Sequence, residues 1–468
     1  MIENNATFDY YDLSVIFNPK NFNNITNDLI IKNVTIDSRK VTQGSAFIAL
    51  KGEHIDGHSK IEEAFQNGAV LCFAEKNWIE HNSLILDKYP IVITDDNIDA
   101  LGQLAQYHRN RFDFPIIAIC GSNGKTTTKE MIAKVLSQKY NVLKTYENYN
   151  NQIGVPLMLL SINNNYNMAV LELGTNQPGE IYKLGKITKP THALVTNIGK
   201  EHLEFLEDLD GVEMEETAIF GEVRSGGFAF INYDDERLKL YGHILDKFMT
   251  YGEHKDAQLT AEIRLNNNLN PKVKFNYEND TFIINLKTIG IASAKNAIST
   301  VAVGLHFGLS IEQITEALED FTPLLNHGYG RMALEKLGKY NIINDCYNAN
   351  PSSIEIALKT LQLLPEYNKK ISVLGDMREL GDSSIVEHKN VIELASVISD
   401  IVLLIGEEMN KAFEMYEFGS NVVIFDNKEN LVNFLFDIIE ENSYVLIKGS
   451  RGMKMEEIIY LFKSKISN

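Results

Sequence analysis

Lys125 and Thr126 close a glycine-rich run, Cys120-Gly121-Ser122-Asn123-Gly124-Lys125-Thr126-Thr127-Thr128. Backbone N–H groups in such a turn, at the start of a helix, point at a phosphate, and the helix dipole favours its charge. Gly121 and Gly124 let the backbone approach closely, and Ser122, Asn123 and Thr127 are the other candidates in the cradle. A lysine in the place of Lys125 reaches the outer phosphates, and a hydroxyl in the place of Thr126 can hold Mg²⁺. Glu172 offers a hard carboxylate ligand for the same ion. His202 is a further candidate, although histidine is an unusual partner for Mg²⁺. Together these groups point to an anionic nucleotide bound with Mg²⁺.

The elements around them must bring them together. Residues 116–119 are an apolar run that reads as a buried strand, and residues 129–136 read as a helix. The spacing G-x-x-G-K-T is shorter than the general G-x-x-x-x-G-K-[ST], which would need glycine where Ile119 stands. An ordinary glycine-rich turn is the competing reading. Residues 168–174 and 193–199 read as two more buried strands. The first ends near Glu172, and the second runs into Lys200-Glu201-His202. In open α/β sheets ligands sit beyond the carboxyl ends of parallel strands, so these distant segments can converge. Residues 145–156, TYENYNNQIGVP, form a polar loop that is costly to order unless it binds something. The competing reading is a solvated asparagine-rich loop like those at 163–165 and 266–268.

The chain has 468 residues, enough for about three domains. The expected division is 1–97, 98–322 and 323–468, and the fold class is α/β throughout. Hydrophobic content of 44% with 23% charged residues is that of a soluble globular protein, and no apolar run approaches the ~20 residues of a membrane span. The polar, acidic Met1-Ile2-Glu3-Asn4-Asn5 lacks the basic and apolar regions of a signal peptide. Cys72, Cys120 and Cys346 show no metal spacing and read as free thiols of a reducing cytoplasm. A net charge of −19 argues against nucleic-acid binding.

In the first domain, residues 34–40, 46–50, 69–74 and 91–94 read as strands, and 60–67 as a helix closed by Gly68. Ser38 and Arg39 are candidates for a polar pocket that takes a sugar nucleotide; a turn with a charge pair is the bland alternative. A helix over 97–112 links to the central domain, where 228–232, a hairpin of 273–277 with 281–289, and a helix over 294–307 carrying Asn296 follow. Residues 323–329 read as a connector. Beyond it, strands at 342–347, 371–375, 401–405, 422–425 and 444–448 alternate with helices such as 353–364 and 384–397. That is the pattern of a parallel, doubly wound sheet. Polar signatures follow its strands at 348–353, 376–381 and 449–452, an edge that would face the nucleotide.

Eight segments in order, IDSRKV with ALKGEHIDGH, GSNGKTTTKEM, NYNNQIGVP, ELGTNQPGEI, NIGKEHLEF, NDCYNANPSS, LGDMRELG and IKGSRGMKME, resemble the Mur ligase family over essentially the whole length. The resemblance implies an N-terminal UDP-sugar domain, a central ATPase domain with a P-loop, and a C-terminal Rossmann-like domain. It implies a cytoplasmic, ATP-dependent and ADP-forming amide ligation in peptidoglycan synthesis. Within the family the segments are similar to the branch that joins D-alanyl-D-alanine to UDP-N-acetylmuramoyl-tripeptide through an acyl phosphate. A diamino-acid-adding ligase and a non-catalytic nucleotide-binding scaffold of the same fold are the alternatives. By family position, Thr126 and Glu172 would ligate one Mg²⁺ and His202 would help hold a second. Asn296 would contact adenine, Arg331 and Asp345 would reach phosphates and ribose from the third domain, and Asn151 would touch the pyrophosphate of the UDP substrate. No membrane insertion, no nucleic-acid partner and a monomer are expected.

Two departures stand out. Many Mur ligases carry a carbamylated lysine where Glu216 stands, with Glu215 as the rival register. Glutamate there would supply a permanent carboxylate to the metal without CO₂. The family's frequent His-Asn pair is absent from Gly290-Ile291-Ala292-Ser293-Ala294-Lys295-Asn296.

Overall fold

The computed structural model describes residues 4, 6–242, 245–323 and 330–467. Residues 324–329, most of the expected connector, lie outside the described residues, as do 1–3 and 5 of the polar N-terminal stretch. The chain folds into three α/β domains, each built on its own principal sheet.

The central sheet positions the site. Its nine strands run in the order Asp280–Asn285, Pro271–Tyr277, Leu259–Leu265, Phe248–Gly252, Phe228–Asn232, His192–Val195, Ile116–Cys120, Met168–Glu172, Val142–Lys144. Strand Ile116–Cys120 is buried at every residue, as an apolar run covered on both faces must be. It lies between Met168–Glu172 and His192–Val195 and parallel to both. The chain leaves this strand to one side first and returns to the other later, so a topological switch point opens at its carboxyl end. The glycine-rich turn, Glu172 and the segment after Val195 all emerge there. Apolar clusters on the two faces of the sheet hold it; Ile116 and Ala118 face one, Ile117 and Ile119 the other, following the two-residue period of a strand.

The helix after the turn runs Lys125–Leu136. It starts four residues before the sequence expectation. The β-branched Thr126-Thr127-Thr128 are weak helix formers, yet Gly124 turns the chain at φ 85° and the first helical turn follows at once. The N-terminal sheet has five strands, Phe22–Asn23, Ile91–Thr94, Ala69–Glu75, Ser45–Ile48 and Asn33–Thr35. The strand expected over 34–40 stops at Thr35. Asp37 accepts from the Arg39 N–H and folds Ser38–Lys40 into a turn of 3₁₀ helix, a local competition that short acidic side chains often win.

The C-terminal sheet orders as Ala333–Leu337, Tyr340–Asp345, Tyr444–Lys448, Lys370–Gly375, Ile401–Ile405, Val422–Phe425. It is parallel except at one edge, where Ala333–Leu337 pairs antiparallel with Tyr340–Asp345. Only Gly338 and Lys339 separate these two strands, too short for a crossover, so a hairpin is the only pairing open to them. The carboxyl ends of its strands face those of the central sheet across a cleft.

Candidate active site

The glycine-rich turn is laced to the next strand's exit. Ser122 N donates to Asn197 O at 2.9 Å, Asn123 N to Asn197 Oδ1 at 3.2 Å, and Thr196 Oγ1 to Asn123 O at 2.7 Å. Gly121 has φ 114°, and a Cβ there would lie 2.3 Å from Thr196 Oγ1; one at Gly124 would lie 2.5 Å from Asn296 Oδ1. Glycine is required at both places. Asn296, which opens the first turns of helix Gly290–His306, therefore rests against the loop.

Lys125 is the hub. Its ammonium donates to Gly121 O and stands 3.6 Å from Glu201 Oε2 and 3.7 Å from Glu216 Oε1. Burial alone would lower this ammonium's pKa, but Glu201, Glu216 and Glu172 outweigh burial and hold it above its ordinary value. The three carboxylates are 3%, 4% and 0% exposed at Glu172, Glu201 and Glu216. Each keeps one buried oxygen without a hydrogen-bond partner: Glu172 Oε2, Glu201 Oε1 and Glu216 Oε1. Burial pushes the Glu216 carboxyl up and Glu201 adds to this, against Lys125 and the Gly121 N–H.

Glu172 Oε1 accepts from Thr126 Oγ1 at 3.1 Å and from Asn150 Nδ2 at 3.0 Å. The buried Lys129, one helical turn after Lys125, donates to Thr145 O at 2.9 Å and stands 3.8 Å from Glu172 Oε2. His202 has φ 50°, with Nδ1 2.5 Å from Glu379 Oε2 and Nε2 3.7 Å from Glu201 Oε2.

Glu216 and Glu215 have separate partners. Glu216 Oε2 accepts the Gly121 N–H at 2.7 Å and lies beneath the loop, outside the wall of the cleft. Glu215 points the other way and takes Gly179 N, Ile181 N and Thr175 Oγ1 at 2.6, 2.7 and 3.0 Å. It caps the helix Glu180–Thr188 and has no oxygen to spare.

A cleft of about 580 Å³ unites Ser122, Asn123, Gly124, Lys125, Thr126, Thr127, Asn151, Glu172, His202 and Asn296 with Arg331 and Asp345 on the opposite wall. Asp345 pairs with the buried Lys448 at 2.6 Å, and the Arg331 guanidinium lies 3.6 Å above the Tyr347 ring. Ser38 and Arg39 lie elsewhere, in an N-terminal cavity of about 970 Å³. Residues 148–157 join the two spaces: Asn148, Asn150 and Asn151 line the cleft, while Tyr149, Ile153 and Leu157 line the cavity. Four groups were not singled out from sequence: Glu201, Lys129, Asn150 and Glu379. Glu201 had a signal, an acid directly before His202 at a strand exit. Lys129 had none, because a lysine on an amphipathic helix is ordinarily solvated.

Residues 30–109 match the model "Mur ligase family, catalytic domain", residues 119–304 the "Mur ligase middle domain", and residues 330–451 the "Mur ligase, glutamate ligase domain". A relative from Bacillus subtilis named UDP-N-acetylmuramoyl-tripeptide–D-alanyl-D-alanine ligase is 33% identical over 441 residues, 92% of this chain and 93% of its own. A crystal structure of MurF from Acinetobacter baumannii superposes with TM-score 0.87 at 29% identity, over 99% of this chain and 100% of that one. MurF ligase from Thermotoga maritima, solved in complex with ADP, gives TM-score 0.83 at 25% identity, over 93% and 97%. With three successive family domains and relatives spanning nearly all of its length, the chain belongs to the Mur ligase family.

Proposed function

We propose that this chain is the ATP-dependent ligase that joins D-alanyl-D-alanine to UDP-N-acetylmuramoyl-tripeptide, a step of peptidoglycan precursor synthesis. The observation that carries the reading is the Lys125 cluster at a three-strand exit, facing Arg331 and Asp345 across a cleft that continues toward the Ser38–Arg39 cavity. ATP, when bound, supplies the phosphoryl group that turns the tripeptide carboxylate into an acyl donor. Two anions must meet for that, and a preorganised cation lowers the barrier. Lys125 is such a cation, held charged by its carboxylate neighbours.

Mg²⁺ fits the donor set. Three buried carboxylate oxygens lack hydrogen-bond partners, and hard oxygens suit this ion. No group of three acidic, histidine or cysteine side chains converges on one point among the described residues, as expected of an ion that takes much of its coordination from phosphates and water. Thr126 and Glu172 would hold one ion. His202 would help hold another, and Glu216 would supply a carboxylate at the Lys125 side without CO₂, its charge favoured by Lys125 against burial. Gly121, Ser122, Asn123, Gly124 and Thr127 would cradle phosphates, Asn296 would approach the adenine, and Arg331 and Asp345 the phosphates and ribose. Ser38 and Arg39 would line the UDP end, with Asn151 near its pyrophosphate. The residues 1–97, 98–322 and 323–468 would form the three working domains of a monomer. Three buried free cysteines and no helix long enough to cross a membrane, among the described residues, support a cytoplasmic setting.

The test is phosphate release with ATP, Mg²⁺ and UDP-muramoyl tripeptide, with and without D-Ala-D-Ala. Release that requires the dipeptide, with a product heavier by that dipeptide, is the expected result. Release only with UDP-muramoyl dipeptide and a free diamino acid would move the chain to another branch of the family. ATP binding without turnover would make it a scaffold.

A further inference from the structure

His202 is held from across the cleft. The loop after strand Lys370–Gly375 brings Glu379 Oε2 to 2.5 Å from His202 Nδ1. The oxygen is out of line with the ring N–H, so the pair is in contact without an aligned hydrogen bond; such bonds in ligand-free sites often tighten when substrate arrives. The backbone joins in, since Glu204 N donates to Glu379 O at 3.1 Å. A Cβ on Gly381 would lie 3.1 Å from Glu204 Cα, so the two loops meet backbone to backbone.

Both partners take a left-handed conformation, with φ 50° at His202 and 64° at Glu379. Residues with side chains rarely adopt it, and isolated cases mark places over-determined by their surroundings. The Glu379 loop is rigidly presented: Met377 N donates to His388 Nε2 at 2.9 Å and Arg378 N to Ser450 Oγ at 2.8 Å. The same interface carries contacts that avoid His202. Lys200 Nζ pairs with Glu387 at 2.5 Å, Lys200 N donates to Ser352 Oγ at 2.9 Å, and Asn350 Nδ2 to Asn123 Oδ1 at 3.2 Å.

We infer that Glu379 is a positioning residue for His202, reaching it only when the C-terminal domain is docked on the central one. A carboxylate at Nδ1 fixes the ring's rotation and holds the proton on that nitrogen, leaving the Nε2 lone pair toward the reacting groups. Docking then does two things at once, closing the cleft and orienting a side chain of the opposite wall. The inference rests on the ligase reading only in that His202 serves the reaction.

Three variants test it: Glu379→Ala, Glu379→Gln, and Lys200→Met as an interface control that leaves His202 untouched. Glu379→Ala is expected to lower kcat about 10–100-fold with KM for ATP within about threefold, the usual loss when the group behind a ligating histidine is removed. Glu379→Gln, which still accepts a hydrogen bond, is expected to recover part of that loss, and Lys200→Met to stay within about threefold of the parent. A second readout needs no turnover. In nucleotide-free enzyme with ¹⁵N-labelled histidine at fixed pH, the His202 signals are expected to report the Nδ1–H tautomer in the parent and a shift away from it in Glu379→Ala. An unchanged tautomer, a kcat within threefold of the parent, or an equal loss in Lys200→Met would overturn the inference. An inactive parent would instead count against the ligase reading, and the tautomer measurement would still decide this one.

Discussion

The two ends of the central sheet treat buried ionisable groups in opposite ways. At the carboxyl end, Lys125 sits among Glu172, Glu201 and Glu216, and three carboxylate oxygens are left without hydrogen-bond partners. At the amino end, His192 opens the strand His192–Val195, with Nε2 3.0 Å from His306 Nε2 and Nδ1 2.8 Å from Thr191 Oγ1. Rings of Phe228, Phe230 and Phe307 pack around this pair. Burial lowers the His192 pKa to about 3, with His306 adding to it, and burial lowers His306 too. Both imidazoles are neutral and satisfy each other. An unsatisfied buried polar group costs about 1–3 kcal/mol; other buried atoms such as Tyr251 OH stand alone, but at the carboxyl end three carboxylates gather around one lysine beside the cleft. The histidine pair at the amino end is complete as folded, while the carboxylate cluster at the carboxyl end has oxygens free to take a ligand.

That contrast breaks first at Lys125. Lys125→Met removes the cation at the hub, and kcat for phosphate release is expected to fall by about 10³, the scale of losing a strong preorganised electrostatic contact. A loss below tenfold would mean that the cluster is structural. Lys129→Met separates support from chemistry, because its ammonium is buried and faces Glu130 and Glu172 at 3.1 and 3.8 Å. Breaking a buried pair on one side costs about 3 kcal/mol, so thermal unfolding should shift strongly in this variant. An unshifted transition would place Lys129 among the solvated lysines. Glu216→Gln keeps the shape beneath Gly121 and removes the charge. It is expected to reduce turnover about 10–100-fold and to raise the Mg²⁺ concentration for half-activation. Unchanged turnover and Mg²⁺ dependence would remove Glu216 from the site.

The same contrast explains what the sequence could tell. Strand Ile116–Cys120 and the turn behind it were readable because an apolar run, two glycines and a Lys-Thr pair are local signals. The convergence of Glu172 and His202 was readable from one topological rule, since both follow strands parallel to that one. Lys129 and Glu379 were not, because the burial of the one and the contact of the other with His202 arise from packing between elements distant in the chain; Glu201 had a local signal that went unused. Nothing local marks Glu379 as the partner of His202, 177 positions earlier. The 3₁₀ turn at Ser38 was missed because a short run of β-formers reads as strand until a capping side chain intervenes; the edge strand Ala333–Leu337 was missed because Ala, Leu, Glu and Lys are not β-formers, and only the hairpin with Tyr340–Asp345 makes them strand.

The smallest effect belongs to the amino end, and its sign is fixed. His192 binds its proton near pH 6.5 in the unfolded chain and only near about 3 when folded. Between those values the unfolded state holds more protons, so stability rises with pH through that window and is lost on acidification. The slope from this residue is at most about 1.4 kcal/mol per pH unit. Replacing the ring, as in His192→Phe, should flatten the acid limb by up to that amount while leaving turnover at neutral pH intact. Amide exchange in strand His192–Val195, corrected for intrinsic rates and compared at pH 7 and about one unit below 6.5, isolates the central sheet from the other two domains. Equal pH slopes in parent and variant would show that the histidine pair is already charged when folded. The contrast between the two ends would then be one of partners, with no difference in charge.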